Sequence, residues 1–244
     1  MQTHSILLLQ VGTPPAEIRD VHGDLCDWFS RLLAVPMDEM LVVRVFEGDP
    51  LPPPDPDRIA IITGSWAMVT ERLPWSELTA QWIRDALAVD MPLFGVCYGH
   101  QLMAHALGGR VDYHPGGREL GCEQVLLLPD ASDDPLLESC PPSFFAQLTH
   151  EQSVLEAPPG ATVLARTEHD EHQIIRYGRN AISAQFHPEF TPEILSACIR
   201  RRAPLLRSEG HDPQQMIDAI VPAPEAAELL RRFVATHREQ QVLS

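Results

Sequence analysis

The chain has 244 residues, 44% of them hydrophobic, which is enough for one large α/β domain or two small ones. Lys and Arg number 18 against 34 Asp and Glu, a formal charge of −16 that argues against a nucleic-acid or anionic-membrane surface, because both reward clustered cations. Five cysteines, an odd number with no C-x-x-C pair, do not fit a disulfide framework or a zinc ribbon. No basic stretch followed by a long apolar run opens the chain, and no run of about 18 apolar residues occurs, so neither a secretory signal nor a membrane span is expected. A cytoplasmic setting follows as the expectation, with thiols kept reduced.

Residues 6–11, Ile-Leu-Leu-Leu-Gln-Val, form an apolar run broken only by Gln10, as in a strand buried on both faces. A helix is expected over 22–34, where Leu25, Trp28, Phe29, Leu32 and Leu33 recur at helical spacing. A second strand covers 40–46. Residues 48–57 hold five prolines and read as a surface connection. Ile59–Ile62 is a third buried strand, ending at Thr63-Gly64-Ser65. A helix over 75–89 follows, then a strand at 93–96. Strands alternating with helices imply a doubly wound, mainly parallel sheet covered on both faces, with the ligand site beyond the carboxyl ends of the strands. The second half is less regular. Short strands are expected at 123–128, 144–149, 162–167, 173–177 and 181–186, several of them antiparallel. Helices are expected at about 192–206, 213–220 and 224–237, with a break over 203–224. The whole of 1–244 reads as one unit with a helical extension from about 192.

The chemistry concentrates at Gly95-Val96-Cys97-Tyr98-Gly99-His100-Gln101. A cysteine with a glycine two residues away on each side, between strand and helix, has the pattern of a nucleophile elbow. The helix that starts there favours a thiolate and a developing oxyanion through its unpaired N–H groups. A cysteine nucleophile needs a base that later serves as an acid, and an imidazole suits both tasks. Gln185-Phe186-His187-Pro188-Glu189-Phe190 offers one at a strand end, with a carboxylate two positions on to orient it. The structural alternatives are a packed cysteine, a core histidine, and Glu189 as a cap for the helix near residue 192. His100 and His105 are rival bases. His169 and His172 form H-x-x-H, but the acidic residues around them read as a solvated turn rather than a metal site. Cys26, Cys122, Cys140 and Cys198 lack comparable surroundings. Arg200-Arg201-Arg202 reads as a solvated helix face.

Together these two motifs resemble the class I, triad-type glutamine amidotransferase family, and the stand-alone proteins similar to the amidotransferase domain of GMP synthase in particular. Thr63-Gly64-Ser65 and Thr149-His150-Glu151-Gln152-Ser153-Val154 extend the likeness, which runs from about residue 4 to about 192. The resemblance implies a flavodoxin-like fold and a Cys97–His187–Glu189 triad that hydrolyses the side-chain amide of glutamine through a cysteinyl thioester. It implies an oxyanion hole from Gly64, Ser65 and Tyr98, and substrate contacts from Gln101, His150, Gln152 and Ser153. It calls for no cofactor and no metal. Two segments depart from the family pattern: Gly64-Ser65 is followed by Trp66 where proline is usual, and the usual Ser-His-x-Asp reads Thr149-His150-Glu151-Gln152. No ATP-using synthetase segment is present, so ammonia would pass to a separate synthetase subunit or be released. The alternatives are a γ-glutamyl peptidase or hydrolase acting on a γ-glutamyl conjugate, and a non-catalytic regulatory module of the same fold.

Overall fold

A computed structural model describes residues 5–243. Residues 1–4 and 244, where the expected absence of a signal begins and the expected single unit ends, lie outside it. The first half alternates as read: β1 (Ile6–Gln10), α1 (Ala16–His22), α2 (Leu25–Leu33), β2 (Met40–Arg44), β3 (Ile59–Ile62), α3 (Pro74–Ala88), β4 (Leu93–Val96) and α4 (Tyr98–Ala106). The second half holds β5 (Arg110–Tyr113), β6 (Glu119–Leu127), β7 (Ser143–His150), β8 (Gln152–Glu156), β9 (Thr162–Arg166), β10 (Ile174–Gly178) and β11 (Ala181–Ala184). Three helices follow: α5 (Pro192–Ser208), α6 (Pro213–Asp218) and α7 (Pro224–Leu243). No helix among the described residues is long and apolar enough to cross a membrane.

Among the described residues, nine strands form one sheet in the order β2-β1-β3-β4-β11-β10-β9-β6-β7. The β2, β1, β3, β4 and β11 strands run parallel to one another, and from the β11–β10 pair onward the sheet continues antiparallel. A separate antiparallel pair joins β5 to β8. The central strands β1, β3, β4 and β11 are buried along their whole length, as strands covered on both faces must be. On one face Phe29 of α2 and Leu229, Leu230 and Phe233 of α7 cover them. On the other lie Ala80 and Ile83 of α3 with Leu102 and Met103 of α4. Phe233 meets Phe94 of β4 edge-on, with centroids 5.3 Å apart, so α7 is part of this core.

Three local outcomes differ from the sequence reading. The helix expected at 22–34 begins only at Leu25, as α2, and a separate helix that was not expected, α1, precedes it. Gly23 adopts φ 85°, and Asp24 then caps α2, its carboxylate 2.8 Å from Leu25 N while Asp27 returns a bond to Asp24 N. The sequence of α1 has little periodic signal because Ile18 is its one buried side chain. Both β5 and β8 escaped the sequence reading; β5 is mostly exposed, so no apolar alternation marks it. Helix α5 runs through Pro204 to Ser208, into the expected break. It tolerates the lost backbone donor because Leu206, beyond the proline, is anchored in a cluster with Leu195 and Ile199.

Candidate active site

Cys97 sits between β4 and α4 with φ 50° and ψ −97°, a conformation rarely adopted by a residue with a side chain. Its surroundings hold it there. Cys97 N donates to Ala184 O of β11 at 2.9 Å, and Gly99 N donates to Thr63 O at 3.1 Å. Both flanking glycines are steric requirements. A Cβ at Gly95 would lie 2.7 Å from the Gly99 carbonyl and from Met103 Sδ, and one at Gly99 would overlap the Ile62 carbonyl oxygen of β3. The first turn of α4 therefore sits directly on the sheet, which turns the sulfur outward at the strand ends.

β11 leads to His187, whose N–H donates to Gln147 O of β7 at 2.9 Å. Its ring Nδ1 is 2.8 Å from Glu189 Oε1, and both side chains are nearly buried. Phe190 stacks on the imidazole at 4.0 Å and meets Trp28 of α2 edge-on at 5.5 Å, so the ring is clamped by the core. With Nδ1 committed to Glu189, Nε2 makes no hydrogen bond among the described residues. Burial disfavours the charged ring, but the Glu189 carboxylate and the Cys97 sulfur override it and push the His187 pKa up to about 10. Gly64 joins them at the end of β3: a Cβ there would lie 3.0 Å from His187 Cε1 and 3.7 Å from Cys97 Cβ. Three segments far apart in sequence thus converge on one point.

The cleft around that point is narrow and partly open to solvent, with a cavity volume of about 40 Å³. Gly64, Ser65, Tyr98, Gln101, His150 and Gln152 all line it. Tyr98 is the first residue of α4, and its N–H has no acceptor within the helix. Gln101 Nε2 donates to Gln152 O at 2.6 Å and to Gln185 Oε1 at 3.0 Å. Gln152 Nε2 donates to Thr70 Oγ1 at 2.5 Å. His150 has both ring nitrogens occupied, by Glu119 Oε2 at 2.8 Å and Gln152 O at 3.0 Å. Ser153 is fully buried behind the lining, 3.3 Å from His150 Nδ1. The rival histidines lie elsewhere: His100 bonds Ser183 Oγ at 2.7 Å in the core, where burial drives its pKa down to about 3, and His105 pairs with Glu77.

The sequence reading missed two features. Glu119 is buried beneath the cleft and is held by Thr167 Oγ1 at 2.6 Å and Gln173 Nε2 at 2.9 Å, besides His150. Glu119, His150 and Asp170 offer atoms within 4.8 Å of one another, the nearest approach to a metal-ligand set among the described residues. The hydrogen bonds on both Glu119 oxygens already satisfy that carboxylate, so the set reads as a braced polar core. His169 of the H-x-x-H pair instead reaches Gly117 O at 3.0 Å. The second feature is Arg202, which lines the cleft instead of facing solvent. Leu195, Cys198 and Ile199 mark the inner face of α5, and Arg202 continues their i, i+3, i+4, i+7 series, a signal that the Arg-Arg-Arg run conceals.

The family model for class-I glutamine amidotransferases matches residues 53–201, the segment that carries Gly64, Cys97, the 149–152 stretch and His187. The chain belongs to that family. An amidotransferase fold is also what structural similarity gives. A crystal structure of a glutamine amidotransferase from Thermotoga maritima superposes with a TM-score of 0.75 at 23% identity, covering 99% of both chains. γ-Glutamyl peptidase 4 of Arabidopsis thaliana is 26% identical over 231 residues, 93% of this amidotransferase-family chain and 90% of that protein. One of the subunits of the glutamine-hydrolyzing GMP synthase of Methanopyrus kandleri is 33% identical over 119 residues, which are 46% of this chain and 62% of that one.

Proposed function

We propose that this chain hydrolyses a γ-glutamyl amide, with Cys97 as nucleophile, His187 as acid and base, and Glu189 as the group that orients the imidazole. The observation that carries this reading is the strained cysteine at the end of β4 beside an imidazole whose far nitrogen is fixed on a buried carboxylate. Glutamine is the smallest substrate of this type. The Cys97 sulfur adds to the side-chain carbonyl carbon. The oxyanion that forms is met by the Tyr98 N–H and by the turn at Gly64-Ser65, donors worth about 3–4 kcal/mol each in such transition states. The C–N bond breaks as His187 gives its proton to the departing nitrogen, leaving a γ-glutamyl thioester on Cys97. Water then adds as His187 takes its proton, and collapse releases glutamate and the sulfur. Gln101 and Gln152 hold the glutamyl part. His150 acts through its fixed position, since both its nitrogens are occupied. The reaction needs no cofactor. In this reading the protein works in the cytoplasm as a single unit.

Ammonia released from glutamine would serve a separate synthetase subunit. Likeness to the Methanopyrus protein supports that arrangement. A second reading, hydrolysis of a γ-glutamyl peptide, is favoured by the lining of the cleft. Trp66, Met68 and Arg202 contribute to it, more than an ammonia leaving group requires, and the likeness to the Arabidopsis peptidase spans nearly the whole chain. Both readings are tested by measuring glutamate released from glutamine and from γ-glutamyl dipeptides by wild type and Cys97→Ala. Cleavage abolished by Cys97→Ala supports the shared chemistry, and the preferred substrate separates the readings. Undiminished release by the variant refutes both.

A further inference from the structure

Building on the γ-glutamyl peptide reading, we infer that Arg202 binds the carboxylate of the residue leaving with the amine. The substrates are then γ-glutamyl peptides whose next residue ends in a free α-carboxylate. Within the Arg200–Arg202 run the three side chains part company. Arg200 is exposed, and Arg201 pairs with Glu17 at 2.7 Å on an exposed surface. Arg202 alone of the three turns into the cleft.

Its tether there is loose. Arg202 Nη2 is 3.5 Å from Glu151 Oε1, and Nη1 is 3.5 Å from Thr149 Oγ1. Glu151 has a closer cation in Arg118, at 2.7 Å, and Arg118 is itself held by Glu209 at 3.1 Å. Arg118 and Glu209 thus fix Glu151, which leaves the Arg202 guanidinium positioned but poorly satisfied. A guanidinium matches a carboxylate with two parallel hydrogen bonds. In a chain with a net charge of −16, an anionic leaving residue needs such a local cation to enter.

Position decides which carboxylate it takes. Arg202 rides on α5, the helix that follows the His187–Phe190 turn, and the Thr149 it touches accepts from the Cys97 thiol through its carbonyl at 3.9 Å. The departing nitrogen collects its proton from His187, so whatever that nitrogen carries leaves along the α5 side. Gln101 belongs to α4 and is tied to Gln152, so the glutamyl part lies along the α4 side of the sulfur. Trp66 and Leu25, packed in the same apolar cluster as Phe190, line the cleft and suit the side chain of the leaving residue.

The test compares wild type, Arg202→Gln and Arg202→Lys on γ-glutamylalanine, γ-glutamylalaninamide and glutamine. Arg202→Gln is expected to lose at least ~10-fold in kcat/KM on the free acid, mostly through KM, and less than ~2-fold on the amide and on glutamine. Arg202→Lys, which keeps the charge, should recover part of the loss. Equal losses on all three substrates would place Arg202 at the glutamyl part or in the fold and overturn the inference, as would no loss on any. Wild type that cleaves glutamine but neither dipeptide refutes the peptide reading and this inference with it, while leaving the cysteine chemistry intact. Calorimetric binding of γ-glutamylalanine and its amide to Cys97→Ala gives a readout without turnover. The free acid should bind more tightly, and Arg202→Gln in that background should erase the difference; equal affinities in Cys97→Ala would overturn the inference.

Discussion

Gly99→Ala tests the seating of the elbow. The added Cβ would overlap the Ile62 carbonyl oxygen. That oxygen belongs to β3, whose Ile62 is paired with Leu9 of β1 and Gly95 of β4, so it cannot yield alone. Overpacking in a core costs about 1–3 kcal/mol, and a backbone neighbour places this case at the upper end. Alanine is the better helix former by up to about 1 kcal/mol, which offsets part of the cost. The net is a destabilisation of about 2 kcal/mol. At about 2–4 °C per kcal/mol for a chain of this size, the Tm falls by about 4–8 °C. Because α4 must move away from the sheet, Cys97 moves with it, and a displacement of about 1 Å costs on the order of 100-fold in kcat. The assay is thermal unfolding together with glutamate release. Gly178→Ala is the control, since a Cβ there meets nothing within 4 Å, and its effect should stay within about 0.5 kcal/mol. Wild-type Tm and activity in Gly99→Ala would refute the argument that the elbow glycine is required by contact with β3.

Two further predictions concern buried charge. The His187 pKa is raised from 6.5 to about 10, with Glu189 the leading favourable cause, so this histidine stabilises the fold fully below about pH 6.5 and loses that contribution as pH rises through 10. The stability gap between wild type and Glu189→Gln, measured by urea unfolding, should be larger at pH 6 than at pH 10; a gap that widens with pH contradicts this. Glu119→Ala strips the carboxylate from Thr167, Gln173 and His150 at once and should cost about 3–5 kcal/mol in urea unfolding. A loss below about 1 kcal/mol would mean that the network does not brace the cleft floor.

Much of this was legible in the sequence because the parallel strands are buried on both faces and read as apolar runs. The closeness of Gly64 and Cys97 followed from one rule, that active groups gather at strand ends, applied to β3 and β4, while His187 was joined to them by the family resemblance. What escaped has a physical cause in each case. Helix α1 buries a single side chain, and β5 buries little, so neither carries a periodic pattern. Glu119 lies ahead of the apolar part of its strand, and its value rests on partners that arrive from β7 and from the segments flanking β9 and β10. Arg202 was hidden by its neighbours: a basic run suggests solvent until the helical phase set by Leu195, Cys198 and Ile199 is applied to it. Ser153 belongs to the motif implied to touch substrate, but period-2 alternation along β8 points it behind His150.

The most direct test of the cysteine chemistry is to trap the intermediate. Wild type turning over glutamine or γ-glutamylalanine is quenched in acid, digested and mapped by mass spectrometry. One γ-glutamyl group on the peptide containing Cys97, removable by hydroxylamine and absent from Cys97→Ala, is the expected result. Continued turnover with that peptide unmodified, or with the group on another residue, would contradict the account.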